Sequence, residues 1–452
     1  MTDGGDIAEL SIELDIVVRS ITTYRITSYK RSRMLILYFL FFSVWLYSNY
    51  RRYKFTPSTF LLGIYWLSSL AAQFLLYGYK TYSESRIELS AIIFHIICLF
   101  LFLYPLIRFG NENIIKFRLP SLKYIKIFSW FIIALSVIAI IVAAYKVKFV
   151  FSFSDLTEAR RLHNAGELYD RNNGDFFDYI ANIGPHLALF ALFMSFYVFA
   201  FYPRSKKLFI LLFISSFSIV LGNLAILGRD GIIRWFLFFF FVYSYFKRYL
   251  LRKTKRLIRF LFILVGLPII LIFFKITDVR FTGRDEGLFY YLIDYTGQSF
   301  IYFSYNFNRF IEGTSGGRMN FPILFPSSER AQMGHLNDIY MADYNLNTFS
   351  TFVGSFYFDM GLTKTLFLAI SFFLFFLLFF KRRKTYSFTK LIVFLILYEV
   401  VLLGVFYYMF SSPTVINTFI LLICIAVFIV FNEKYFHKNS KKRKGMMIST
   451  YN

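Results

Sequence analysis

Charge is scarce in this chain. Asp, Glu, Lys and Arg make up 17% of its 452 residues, whereas about a quarter of a soluble globular domain is charged. That shortage excludes an ordinary soluble fold. Cysteine is nearly absent. Cys98 and Cys424 both fall in apolar runs, so they read as core residues and not as a disulfide framework, and they say nothing of redox compartment. The five histidines are scattered, with no metal-ligand spacing. The sequence contains no GxGxxG and no P-loop, so neither nucleotide-binding fingerprint applies.

What the sequence has is apolar length. Hydrophobic residues reach 58% and the mean hydropathy is +0.57. Apolar runs of about 20 residues, enough to cross a bilayer core, recur between charged clusters. They place crossings near 34–49, 59–79, 87–108, 125–147, 183–202, 207–227, 231–246, 258–276, 361–380, 391–411 and 413–431. A transmembrane β-barrel would instead show weaker, alternating ten-residue segments. The expected architecture is an all-α polytopic membrane protein of about eleven transmembrane helices. It forms a single transmembrane domain over 34–431, after an N-terminal extension (1–33) and before a basic cytoplasmic tail (432–452). No internal repeat is visible.

The formal charge of +24 is not a nucleic-acid signal, because Lys and Arg sit in short clusters between apolar runs, as the positive-inside rule describes. The clusters are Arg51 to Lys54, Lys116 to Lys126, Arg204 to Lys207, Lys247 to Arg259, Lys381 to Lys384 and Lys434 to Lys444. An odd number of crossings puts all six on the cytoplasmic side. Two acid-bearing loops, about 150–182 and 277–350, then face outward. Lys30, Arg31 and Arg33 lie on the wrong side of this arrangement. Translation from Met34 would remove the conflict, and a missed or extra helix is the alternative.

The stretch from Leu221 to Phe238 reads LGNLAILGRDGIIRWFLF. Residues 207–246 are too long for one crossing, so Gly228-Arg229-Asp230-Gly231 is expected to be a tight outer turn, with Arg229 and Arg234 at or just below the surface. Ionisable groups at such depth usually face a cavity or a partner. The plainer readings are a solvated hairpin tip for Arg229 and a snorkelling side chain for Arg234. Glu399, mid-way along the tenth crossing, is a candidate on the same ground, or a structural hydrogen-bond partner. The two outer loops hold eight arginines, Arg160, Arg161, Arg171, Arg280, Arg284, Arg309, Arg318 and Arg330, and no lysine. Arg offers a planar fork that binds phosphate oxygens in pairs. The plainer reading pairs these arginines with local acids. The aromatic segment 288–311 reads as an interfacial belt or as a platform for sugar rings or a polyprenyl chain. His335 is the lone histidine of the larger loop, a base, a phosphate contact or neither.

Four segments resemble the O-antigen and related polysaccharide polymerases, the oligosaccharide repeat-unit (Wzy) family. They are Pro57-Ser58-Thr59-Phe60-Leu61-Leu62 with Trp66, Asp155-Leu156-Thr157-Glu158-Ala159-Arg160, Gly228-Arg229-Asp230-Gly231, and Asn347 to Phe352 followed by Tyr357-Phe358-Asp359-Met360-Gly361. The chain departs from the pattern at Thr363-Lys364, where a second glycine is expected, and in its N-terminal extension. The resemblance implies a GT-C-like bundle with a large outer loop, in the bacterial inner membrane, with its active site facing the periplasm. Such an enzyme moves a glycan from polyprenyl pyrophosphate onto another lipid-linked repeat unit. It uses no nucleotide sugar, cofactor or metal. Its partners are the polyprenyl-pyrophosphate-linked oligosaccharide, the membrane and a chain-length regulator protein, with no nucleic acid. Arg160, Arg229, Arg280, Arg284, His335 and Asp359 are the catalytic candidates. Arg161, Arg234, Arg318, Asp338 and Tyr357 are the substrate-binding candidates. An O-antigen ligase, a flippase of the lipid-linked unit and a structural membrane subunit are the competing readings.

Overall fold

The computed structural model of the chain describes residues 34–80, 82, 87–111, 116–153, 156–165, 176–281, 287–310, 315–325, 350–380, 385–408 and most of 415–431. In chain order its helices are α1 (Ile36–Tyr53), α2 (Pro57–Gln73, prolonged by a π-turn over Phe74–Gly78), α3 (Leu89–Gly110), α4 (Leu122–Val150), α5 (Leu156–Ala165), α6 (Phe176–Phe201), α7 (Lys206–Ser215), α8 (Ser218–Leu224), α9 (Asp230–Phe246), α10 (Arg252–Phe281), α11 (Leu288–Asn306), α12 (Thr351–Phe379) and α13 (Phe388–Leu403). A shorter apolar helix, α14, covers Ile420–Ile429.

Among the described residues, seven helical stretches are long and apolar enough to cross a membrane: Pro57–Gly78, Leu89–Gly110, Leu122–Val150, Ile183–Phe201, Lys206–Leu224, Arg252–Thr277 and Thr351–Phe379. The chain is a multi-pass helical membrane protein. The four other expected crossings also contain helix, in α1, α9, α13 and α14, but these are shorter or less apolar. One departure from an all-helical chain is small. Lys116–Arg118 (β1) and Thr385–Ser387 (β2) pair in parallel, Phe117 opposite Tyr386.

The basic linkers gather at one end of the bundle. The β1–β2 pair ties the α3–α4 linker to the α12–α13 linker. The Tyr202 hydroxyl donates to the Pro120 carbonyl (2.6 Å) and Lys247 Nζ to the Phe55 carbonyl (2.8 Å). At this end Thr56 caps α2, its Oγ1 accepting from the Thr59 amide (3.2 Å) with Pro57 at the first helical position. Threonine supplies the missing acceptor and proline loses no hydrogen bond there. Small residues then let helices approach closely, as in membrane bundles generally. A Cβ on Gly184 of α6 would lie 2.3 Å from the Ala139 Cβ of α4, and one on Gly297 of α11 would lie 2.5 Å from the backbone of Ala71 and Ala72.

Two elements depart from simple crossing. Segment 288–311, expected within an outer loop, is mostly the helix α11, and its Phe300, Ile301 and Phe303 are fully buried. Both ends of α11 meet the single α2–α3 linker. Tyr290 packs on Tyr79 (4.9 Å between ring centroids), and Asn308, just past the helix, bonds Glu88. The helix is therefore tucked across the end of the bundle opposite the basic linkers. A helix of this length needs burial on one face only, so its polar residues do not betray it. The second departure is α12. Phe352 and Phe372 both lie 5.0 Å from the Phe102 ring, yet twenty residues of straight helix would separate them by about 30 Å. The helix doubles back at Gly361, whose φ of 78° and ψ of 178° are non-helical. Its first arm rises to the far end and its second arm descends to the basic end.

Candidate functional site

The far end is organised by the turn between α8 and α9. The Gly228 amide donates to the Asn223 carbonyl (2.7 Å) and the Leu227 amide to the Leu224 carbonyl (3.0 Å). These two bonds, with Leu227 at φ 51°, form a Schellman C-cap. The glycines thus serve a purpose other than the one a turn motif predicts. Neither has positive φ; they are needed for space. A Cβ on Gly231 would sit 2.4 Å from Asn223 Nδ2 and 2.5 Å from the Ile219 carbonyl, and one on Gly228 would sit 3.0 Å from Asn223 Oδ1.

Arg160 reaches this cap from α5. Its Nη1 donates to the carbonyls of Ile226 (3.2 Å) and Leu227 (3.0 Å). A cation at a helix C-terminus satisfies free carbonyls and complements the dipole, so Arg160 braces the segment that carries Arg229. Arg229 itself is no solvated tip. It is 6% exposed and its Nη1 donates to Thr277 Oγ1 of α10 (3.2 Å). Its guanidinium lies 5.5 Å from the Tyr295 ring and 6.0 Å from the Phe273 ring, where cation–π attraction offsets part of its desolvation. Arg234, one turn into α9, does not snorkel. Its Nη2 bonds both Asp230 Oδ2 and the Tyr407 hydroxyl, and Tyr407 donates on to Asp230 (3.3 Å). Tyr295 is within electrostatic reach of both arginines and of Asp230. Arg160 from α5 thus meets the turn that carries Arg229 and Arg234, and the latter two share Tyr295 as a neighbour.

Other candidates are placed elsewhere. Arg161 turns outward and forms a bidentate pair with Glu158, 2.8 Å for each bond. Asp359 is 1% exposed and saturated with donors. Ser315 Oγ and the amides of Gly317 (3.0 Å) and Met319 (3.4 Å) donate to its Oδ1, and the Asn320 amide (2.8 Å) donates to its Oδ2. A carboxylate so occupied holds a loop in place. The loop it holds displays Arg318, whose Nη1 donates to the Ser315 carbonyl (3.2 Å) and whose guanidinium lies 5.4 Å from the Phe325 ring. Tyr357 is likewise engaged within the fold. It is buried, stacked on Phe307 (4.7 Å, 9°), and donates to the Phe307 carbonyl (2.7 Å), so it fastens α12 to the end of α11. Arg280 lies on α10 one turn beyond Thr277, and its side chain is outside the described residues, as are Arg284, His335 and Asp338 altogether.

Three contributors were not singled out in the sequence: Thr277, Tyr295 and Tyr407. Thr277 is legible in retrospect as a polar residue closing the apolar run of α10. Nothing in Val405-Phe406-Tyr407-Tyr408 separates Tyr407 from its neighbours. Two cavities lie within the bundle. A cleft of about 300 Å³, almost wholly apolar, opens between the two arms of α12 and α13, lined by Phe102, Phe352, Leu368, Phe372, Val401 and Tyr408 among others. A cavity of about 20 Å³ lies beneath Arg234. No family model, no curated protein and no solved structure matches the chain.

Proposed function

We propose that the chain is an inner-membrane glycosyltransferase of the O-antigen polymerase type. On this reading it transfers a glycan from polyprenyl pyrophosphate to a second lipid-linked repeat unit. The observation that carries the reading is the meeting of Arg160 with the turn that carries Arg229 and Arg234, beside Tyr295, at the end of the bundle opposite the basic linkers. Under the positive-inside rule that end faces the periplasm, where such a substrate is presented. Guanidinium forks suit a diphosphate, and a low-dielectric setting strengthens them. The apolar cleft has the lining a polyprenyl chain requires.

The chemistry asks little of a general acid, because polyprenyl pyrophosphate is a good leaving group. The anomeric carbon–oxygen bond to phosphate breaks, a bond to the acceptor hydroxyl oxygen forms, and the hydroxyl proton is released. Arg229 and Arg234 neutralise the charge that builds on the departing diphosphate, and Arg160 keeps the turn in place. Arg318 adds positive charge nearby, and Arg280 and Arg284 are further candidates. Removal of the proton falls to His335 or Asp338. The test is a gel of surface glycolipid from a strain lacking the gene, with and without a plasmid copy. A polymerase leaves lipid A core bearing one repeat unit, and the plasmid restores the ladder. Bare core with no single-unit band would overturn the reading in favour of a ligase or a flippase.

A further inference from the structure

Behind Arg234 lies a group of polar side chains, His186, Glu399 and Thr418, that the transfer chemistry does not use. The cavity of about 20 Å³ is bounded by His186 of α6, Arg234 of α9, Glu399 of α13 and Thr418 ahead of α14, among apolar neighbours. That volume admits one water molecule and little more. Four separate segments contribute a polar group to one water-sized space inside an apolar bundle. Arg234 is the wall between this space and the far end. On its far side Nη2 is engaged by Asp230 and Tyr407. Its Nε is buried and has no hydrogen-bond partner among the described residues. A buried donor left unmade is expensive, and an ionisable residue at membrane depth normally faces a partner. Glu399 and His186 are both within electrostatic reach of Arg234, and Glu399 supplies acceptor oxygens at the same cavity.

We propose that Glu399 is a positioning residue for Arg234. Through the single water that fits the cavity, its carboxyl group accepts from Nε, while Asp230 and Tyr407 hold Nη2. A guanidinium held at Nη2 alone can swing about its stem. Held at Nε as well it presents a fixed plane beside Tyr295 and Arg229, and fixed geometry is what recognition of a diphosphate needs. The inference extends the anion-binding reading of the cluster but does not depend on it for its first test.

That test is solvent exchange of the Arg234 Nε proton, followed by NMR on protein labelled at arginine Nε and purified in micelles. The signal is assigned by its disappearance in Arg234→Lys. Exchange is expected to be slow in the wild type and in Glu399→Gln, which keeps an acceptor oxygen. It is expected to be about tenfold faster in Glu399→Leu, the effect of losing one net hydrogen bond of ordinary strength. Glu399→Asp, which keeps a carboxylate but withdraws it by one methylene, moves exchange in the same direction and guards against misfolding of the leucine variant. Unchanged exchange in folded Glu399→Leu and Glu399→Asp overturns the proposal. The second readout is inorganic pyrophosphate binding, which should weaken in the same two variants. If the wild type binds no pyrophosphate while the exchange responds to Glu399, the positioning role stands and the diphosphate reading falls.

Discussion

The two ends of the bundle treat positive charge in opposite ways. At the basic end Arg51, Arg52, Lys54, Arg204, Lys206 and Lys207 are exposed, and the lysines that touch protein, Lys247 and Lys390, donate to the backbone carbonyls of Phe55 and Phe379. At the far end Arg229 is 6% exposed and Arg234 is locked to a carboxylate and a phenol. Solvated cations fix which side the linkers occupy and are interchangeable within a cluster. Buried cations carry a desolvation penalty and persist only where specific partners hold them. Number and sign of charge matter at one end, and geometry matters at the other.

The largest effect is expected from Arg229→Lys, which keeps the charge and removes the fork. On the proposed polymerase function, polymer formation falls about a hundredfold, the scale of losing one preorganised donor at a transition state. Densitometry of the glycolipid ladder measures it, and near-normal polymer would place Arg229 with the solvated kind. Next in size is Asp359→Ala, which strands the amides of Gly317 and Asn320. A stability loss of about 3 kcal/mol, the upper range for a buried charged acceptor, should appear in chemical unfolding, with faster proteolysis of the loop over 315–325. Gly231→Ala follows at about 2 kcal/mol, since the new methyl meets the Ile219 carbonyl in a packed interior. Gly63→Ala is its control, because no atom lies within 4 Å of that Cβ, and thermal unfolding should show no loss. The smallest effect belongs to Arg161→Ala. Its exposed pair with Glu158 contributes about 0.5 kcal/mol or less, and polymer yield should not change.

The helices were legible where apolar length alone decides them, as in α3, α4 and α6. The turn carrying Arg229 was legible as a turn because charged residues and glycines stood out against an apolar background. Its mechanics were not, because Leu227 takes the left-handed position that a motif assigns to glycine. The burial of α11 was hidden by its own polarity: Tyr290, Asp294, Thr296 and Gln298 make it look like a loop, although its other face packs on Ala71 and Ala72. Asp359 entered through its motif, and type and spacing cannot reveal that its oxygens are filled by a loop some forty residues earlier. Tyr407 could not be found at all, because it is chosen by a contact with Asp230 and Arg234 that only the tertiary fold creates.

The reversal at Gly361 bears on how the chain is assembled. The first arm of α12 covers ten residues, about 15 Å of helix, half of the roughly 30 Å of a bilayer core. It cannot be released into lipid as a crossing helix during synthesis. Its first amides, Thr351 and Phe352, donate to the carbonyls of Phe406 and Gly404, which do not exist until α13 has been made and inserted. The order of translation and the order of settling therefore differ. This arm is delivered with the loop before it, waits for its receiving helix, and docks afterwards, carrying Asp359 and the loop that displays Arg318 into place with it.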